Sequence, residues 1–240
     1  MLIFLDIETT GLEQNDKMVS IALLNTTTKE YKYELLNEGK KIPTEASSIH
    51  HITNEMIRDK PAFIQSEVYK YLQEHNTRAN ILVAHNSKFD LRTLSGVWVE
   101  WQGGVIDTLR TTKHLIPECE LFSLQILRYE LRLYKQEEAL RKEYGIKGAL
   151  FAHHALSDAL VVELLFQYLQ DMASVEEMEL LSSQNVLLEK LNFGKHKGKY
   201  IEEIAHNDRA YLEWMLNSLS DLDDDLKYSI NYYLQGWRWK

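Results

Sequence analysis

Met1-Leu2-Ile3-Phe4-Leu5-Asp6-Ile7-Glu8-Thr9-Thr10-Gly11 is the stretch on which the reading of this chain turns. Met1 to Ile7 is built from apolar, β-favouring residues, and Thr10-Gly11 offers a turn, so the segment predicts a strand that stops there. Alternate side chains of a strand share a face, which sets Asp6 beside Glu8. Two carboxylates held on one face repel each other and bind protons more tightly unless a cation lies between them. A lone Asp-x-Glu is equally a solvated strand end, so the pair needs support from elsewhere in the chain.

Outward from this strand, Met18 to Leu24 and Glu30 to Leu36 read as two more, a meander of antiparallel strands at one edge of a sheet. Pro61 is placed to open a helix carrying Ile64, Val68, Tyr71 and Leu72. Ile81 to Ala84 is a short buried strand followed by a helix from Phe89, and Val105-Ile106 is another strand. This alternation predicts parallel pairing, hence an α/β sheet flanked by helices. Leu121 to Glu143 reads as helical and increasingly charged, and Leu156, Leu160, Leu164 and Phe166 to Leu169 give a strongly periodic helix ending near Asp171. Ser174-Val175-Glu176-Glu177 is a capping box that opens the next helix. These features place a first domain at 1–172, a linker or helix at 173–187 and a small C-terminal domain at 188–240. The last contains a Gly/Lys-rich turn, Phe193 to Lys199, and two helices around Tyr211–Leu219 and Leu226–Leu234, with Tyr211 and Trp214 expected in its core.

Composition narrows the class. With 45% hydrophobic and 26% charged residues, disorder and fibres are excluded, and three prolines and ten glycines in 240 residues disfavour a turn-rich sandwich or barrel. The single cysteine, Cys119, suits a reducing cytoplasm, and no membrane span is read. A net charge of −9 gives no general attraction to nucleic acid, so such a ligand needs a locally arranged site.

Three further acidic or basic positions join the strand pair. Asp90 follows the strand-end segment His85-Asn86-Ser87-Lys88-Phe89, where α/β sheets place their sites. Asp158 lies near the start of the long helix, and His153, five residues earlier, is expected on the preceding loop. Asp107 follows a strand as well and is read as the cap of the next helix. Four carboxylates from separate segments with one histidine suit a two-metal phosphoryl-transfer centre, whose hard oxygen ligands select Mg²⁺ or Mn²⁺.

Leu5-Asp6-Ile7-Glu8-Thr9-Thr10-Gly11, His85-Asn86-x-x-Phe89-Asp90 and His153-x-Ala155-Leu156-x-Asp158-Ala159 together resemble the three motifs of the DEDDh (DnaQ-like) 3′–5′ exonucleases, in the same order. Ala46-x-x-Ile49-His50-x-Ile52-Thr53, Phe193-Gly194-Lys195-x-Lys197-Gly198-Lys199 and Tyr211-Leu212-x-Trp214 are similar to segments of the exodeoxyribonuclease X branch. The stretch 129–149 matches loosely. The resemblance implies a ribonuclease-H-like mixed sheet, three antiparallel strands continued by parallel ones. It implies Asp6, Glu8, Asp90 and Asp158 as metal ligands for two ions, and His153, rather than its neighbour His154, as general base. Thr9, Gly11, Leu12, His50, His85, Asn86 and Phe89 are the implied contacts to the 3′ end, and Lys88 is either a phosphate contact or solvated. Lys195, Lys197 and Lys199 form the clearest basic patch and are expected to track a nucleic-acid backbone. The expected substrate is DNA, single-stranded or at duplex 3′ ends, hydrolysed to nucleoside 5′-monophosphates. An exoribonuclease or oligoribonuclease uses the same motifs, and a non-catalytic polymerase accessory subunit would not require so costly a carboxylate cluster. A glycosidase would need only two of these carboxylates.

Overall fold

β1 (Leu2–Thr9) is the middle strand of a five-stranded sheet in the computed structural model, which describes residues 1–148 and 151–236. β2 (Met18–Asn25) pairs antiparallel with β1, and β3 (Glu30–Leu35) antiparallel with β2. β4 (Ile81–Ala84) and β5 (Gly104–Asp107) continue the other edge in parallel, giving the order β3-β2-β1-β4-β5. The expected meander continued by parallel strands is the observed sheet. The helices of this unit are α1 (Thr44–His50), α2 (Asn54–Ile57), α3 (Glu67–His75), α4 (Ser87–Ser95), α5 (Thr108–Leu115), α6 (Leu124–Glu130), α7 (Glu137–Glu143), α8 (Ala155–Gln170) and α9 (Val175–Ser183).

Because β1 is central, both its faces are covered. Ile3, Leu5 and Ile7 pack with Val68 and Leu72 of α3 and Leu94 of α4, while Phe4 points to the opposite face, against α8. The helix expected to be periodic is instead covered nearly all round: thirteen of the sixteen residues of α8 are buried, because it packs in the core and not along its edge. Phe4 meets Phe166 edge to face, ring centroids 5.3 Å apart.

Two helix expectations are corrected. Pro61 does not open α3; a 3₁₀ turn at Phe63–Gln65 carries Ile64 into solvent, and Ser66 caps the helix by accepting from the Tyr69 N–H. Leu121 to Glu143 is not one helix. It is α6, a 3₁₀ turn at Leu133–Lys135 and α7, broken where Arg132 takes a left-handed φ of 58°. On a continuous helix Leu133, nine residues after Leu124, would face the opposite way. The break turns it back into the core that Leu124 and Leu127 share. The Ser174 capping box forms as read, its N–H bonded to Glu177 Oε2 and its Oγ accepting from the Glu177 N–H.

The chain divides into two units, Met1–Ser182 and Ser183–Lys240; the last four residues lie outside the described residues. The second contains α10 (Ile201–Asn207), α11 (Arg209–Ser218) and α12 (Asp224–Gln235) around Ile201, Ile204, Leu212, Met215, Leu226 and Ile230. The Gly/Lys-rich turn is closed by a bridge between Lys190 and Tyr200. Trp214, expected in the core, is 50% exposed, because Leu212 and Met215 take the inward positions of α11. Among the described residues no helix is long and apolar enough to cross a membrane.

If Phe166 anchors α8 to β1, Phe166→Ala should lower stability by about 3–5 kcal/mol. Urea denaturation of the full chain measures this, and a loss below about 1 kcal/mol would contradict that packing role.

Candidate active site

Asp6 and Glu8 follow Phe4 on the face of β1 that α8 covers. The same packing that seats Phe166 draws the first turn of α8 over them, delivering Asp158 two helical turns before Phe166. Asp90 comes from the first turn of α4 and is buried. Oxygens of Glu8 and Asp158 and a ring nitrogen of His153 all lie within 4.8 Å of one another, a group able to hold a metal ion.

The cluster holds protons tightly. Burial raises Asp6 well above the usual carboxylate range, and the charges of Asp158, Glu8 and Asp90 raise it further. Burial and then Asp158 push Glu8 to about 8. Asp90 is raised by burial, with Asp107 and Glu8 adding to it against backbone N–H groups. Asp158 reaches about 7 through burial, opposed by the His153 N–H, Arg128 and Gln125. The four carboxylates therefore sense one another, as their separate motifs require. Hard oxygen donors with no thiolate fit a divalent cation such as Mg²⁺ or Mn²⁺.

The histidines sort themselves by their partners. His153 is exposed, sits at a left-handed φ of 60°, and donates its backbone N–H to Asp158 Oδ2. His154 is engaged elsewhere. Its Nδ1 caps α8 by accepting from the Leu156 N–H, and its ring stacks on Tyr33 at 4.5 Å. His50 is buried beside Thr9 and His153, its Nδ1 accepting from the Ile52 N–H, and burial lowers its pKa. His85 departs from expectation. Its Nδ1 meets Thr108 Oγ1 and its Nε2 donates to the Phe122 carbonyl, so both ring nitrogens are committed to holding β4, α5 and the following loop.

The remaining motif-one residues belong to a loop organised by Asp16, which the sequence reading did not single out. Asp16 accepts from Thr10 Oγ1, the Glu13 N–H and Lys40, holding its carboxyl at about 2, chiefly through Lys40. A Cβ on Gly11 would come within 2.5 Å of Asp16 Oδ2, so this close approach needs glycine. The loop leaves Leu12 76% exposed, its carbonyl accepting from Arg92. Thr9, Gly11, Phe89 and Arg92 line one shallow cavity. Asn86 is exposed and left-handed, and Lys88 is exposed.

Two supports for the cluster were also missed. Asp107 caps α5, as expected, through the Leu109 and Arg110 N–H groups, but it also accepts from the Asn86 and Ser87 N–H groups and so caps α4, the helix bearing Asp90. Gln125 Nε2 donates to Asp158 Oδ1 at 2.7 Å, Arg128 donates to Gln125 Oε1, and Glu137 takes the Arg128 guanidinium in a two-pronged pair. Only a fold in hand shows that Gln125 and Glu137 face Asp158. In the C-terminal unit, Lys195 and His196 both bond Asp208 rather than standing free, while Lys197 and Lys199 are exposed with no ion pair among the described residues.

Two outcomes follow from this geometry. Between about pH 5 and about pH 8 the folded protein retains protons that the unfolded chain has released, so stability in EDTA should fall as pH rises. Saturating Mn²⁺ should remove that fall, and Glu8→Gln should flatten it; a midpoint that rises through this range in EDTA would contradict the raised carboxylates. Gln125→Leu should weaken Mn²⁺ binding about 10–100-fold by calorimetry with little change in melting temperature. Unchanged binding would remove Gln125 from the support of Asp158.

Comparison with known proteins bears on the same residues. A family model described as Exonuclease matches residues 3–166, and one described as Exodeoxyribonuclease X-like C-terminal matches residues 191–220. Exodeoxyribonuclease 10 of Escherichia coli (strain K12) is 26% identical over 239 residues, covering 98% of this chain and 100% of that protein. DNA polymerase III subunit epsilon of Treponema pallidum (strain Nichols) is 32% identical over 168 residues, covering 62% of this chain and 76% of that subunit. Among solved structures, Exonuclease X in complex with 5′-overhanging duplex DNA matches with a TM-score of 0.60 at 26% identity, over 76% of this chain and 100% of that one. An exonuclease I structure, at TM-score 0.52 and 18% identity over 75% of this chain and 42% of that one, shares the fold. With its ribonuclease-H-like sheet and its assembled carboxylates, this chain belongs to the exonuclease family of DnaQ-like, DEDDh 3′–5′ exonucleases, hydrolases that depend on divalent metal.

Proposed function

We propose that this chain is a 3′–5′ exodeoxyribonuclease acting with two Mg²⁺ or Mn²⁺ ions held by Asp6, Glu8, Asp90 and Asp158. The observation that carries the reading is the assembly of four mutually repelling, largely buried carboxylates from three elements with His153 within 4.8 Å of Glu8 and Asp158. A metal pair there would stabilise the attacking and leaving oxygens of a phosphodiester. His153 is the general base: its ring is exposed, and its backbone is tied to Asp158, so it can take the proton of the attacking water. Water adds to phosphorus, the bond to the 3′-oxygen breaks, and a nucleoside 5′-monophosphate leaves a shortened 3′ end.

DNA as the substrate is supported by the full-length relative named as an exodeoxyribonuclease and by the structure of Exonuclease X on 5′-overhanging duplex DNA. Thr9, Gly11 and Phe89 line the approach, Asn86 and His50 flank it, and exposed Leu12 presses on the terminal base. Lys197 and Lys199 contact the DNA backbone, with Lys195 shaping their turn through Asp208. A role in DNA repair or processing in the reducing cytoplasm fits these features and the single cysteine.

A time course on 5′-labelled single-stranded DNA with Mg²⁺ should give a ladder shortening from the 3′ end, abolished by EDTA and by Asp6→Ala. His153→Ala should lower the rate at least about a hundredfold while DNA affinity stays within a few-fold. Equal loss in His154→Ala with His153→Ala mild would transfer the base to His154. Intact DNA beside degraded RNA would make the enzyme an exoribonuclease, and survival of both would leave a binding module.

A further inference from the structure

The segment that joins α6 to α7 carries features that the catalytic reading does not use. Tyr129 is 61% exposed and Tyr134 43% exposed, yet their rings pair at 5.4 Å, tilted by 35°. Held against each other at the surface, the two rings make one continuous aromatic face instead of two scattered side chains. The pair is built rather than accidental. The left-handed turn at Arg132 and the 3₁₀ turn at Leu133–Lys135 fold Tyr134 back towards Tyr129, with Leu133 buried beneath as the anchor.

Its location ties it to the active site. Arg128 lies over the Tyr129 ring at 5.4 Å and also donates to Gln125, which holds Asp158. Tyr134 lines a shallow cavity with Glu137, Arg141 and Ser157, the residue before Asp158. The pair thus flanks the catalytic cluster on its α6–α7 side.

The local charge favours a polyanion. Glu137 is taken up by Arg128, and Glu138 by Arg141 and Lys142. Arg132 and Lys135 are exposed with no ion pair among the described residues. This is a cationic spot in a unit with 27 acidic and 19 basic residues. Exposed aromatic faces beside unpaired cations are what an unpaired nucleic-acid strand uses, bases stacking on rings and phosphates meeting Lys and Arg.

We propose that Tyr129 and Tyr134 form a stacking platform for an unpaired base of the strand under degradation, with Arg132 and Lys135 neutralising adjacent phosphates. The proposal rests on the exonuclease reading, since it supplies that enzyme with a substrate subsite.

The test measures binding of a 5′-fluorescein oligothymidylate to the full chain in EDTA by anisotropy. Tyr129→Ala and Tyr134→Ala should each weaken binding about 5- to 150-fold, while Tyr129→Phe and Tyr134→Phe retain it, with melting temperatures unchanged in all four. A single abasic nucleotide, moved along the oligonucleotide, should weaken wild-type binding at one position and have no effect there in the alanine variants. Arg132→Gln with Lys135→Gln should reduce the salt slope by about 1.4, and the tyrosine variants should not change it. Wild-type affinity in both alanine variants, or a wild-type protein that binds no oligonucleotide, would overturn the platform. Loss of binding in the alanine variants of a protein that degrades no DNA would keep the platform and remove the exonuclease reading instead.

Discussion

Charge repulsion between Glu8 and Asp158, whose oxygens come within 4.8 Å, is the interaction that the nuclease unit is organised to withstand. At an effective dielectric near 20, two like charges at that separation repel by about 3–4 kcal/mol, and Asp6 and Asp90 add to it. Burial is the largest cause of the raised pKa values of all four, and repulsion within the cluster adds to it at Asp6, Glu8 and Asp90. Carboxylates free to move would separate. Here each is fixed by an element whose position is set by apolar packing far larger in sum than the repulsion.

Three devices provide that fixing. β1 is buried on both faces and cannot shift in register without exposing Ile3, Leu5 and Ile7 or Phe4. α8 is buried nearly all round, so the turn carrying Asp158 goes where Phe166 and its neighbours go. Asp107 caps α4 and α5 together, setting the angle at which Asp90 enters. Gln125, Arg128 and Glu137 then orient one carboxylate, with the opposite charges of Arg128 and Glu137 offsetting each other beside it. The Arg128 guanidinium is held by Glu137, which keeps a permanent cation near the site but engaged with its own partner.

The C-terminal unit shows the same economy in miniature. Asp208 gathers Lys195 and His196, Tyr211 packs against His196, and Gly194 lies where a side chain would collide with the Tyr211 hydroxyl. The turn is therefore a shaped structure, and of the three lysines on it Lys197 and Lys199 have no ion pair among the described residues.

The apolar run of β1 that closes on Asp6 and Glu8, the presence of a long helix after His153 and the order of the three acidic motifs were all legible in the sequence, because each is a local pattern. Together with the resemblance they carry, they pointed to the mixed sheet, the clustered carboxylates and the family. What the sequence could not determine was which side chains meet across elements. His85 looked like a substrate contact until Thr108 and the Phe122 carbonyl were seen to occupy both its nitrogens. His153 was preferred to His154 on motif spacing alone, and only the fold shows His154 engaged in capping α8 and stacked on Tyr33. Gln125, Asp16 and the second role of Asp107 carry no local signature, since their partners lie 33, 6 and 20 or more residues away. The break at Arg132 is likewise invisible to helical periodicity, because it is set by Leu133 reaching a core that only the folded chain contains. Local spacing chooses the elements and their faces; tertiary packing decides which polar atoms are used up and which remain for chemistry.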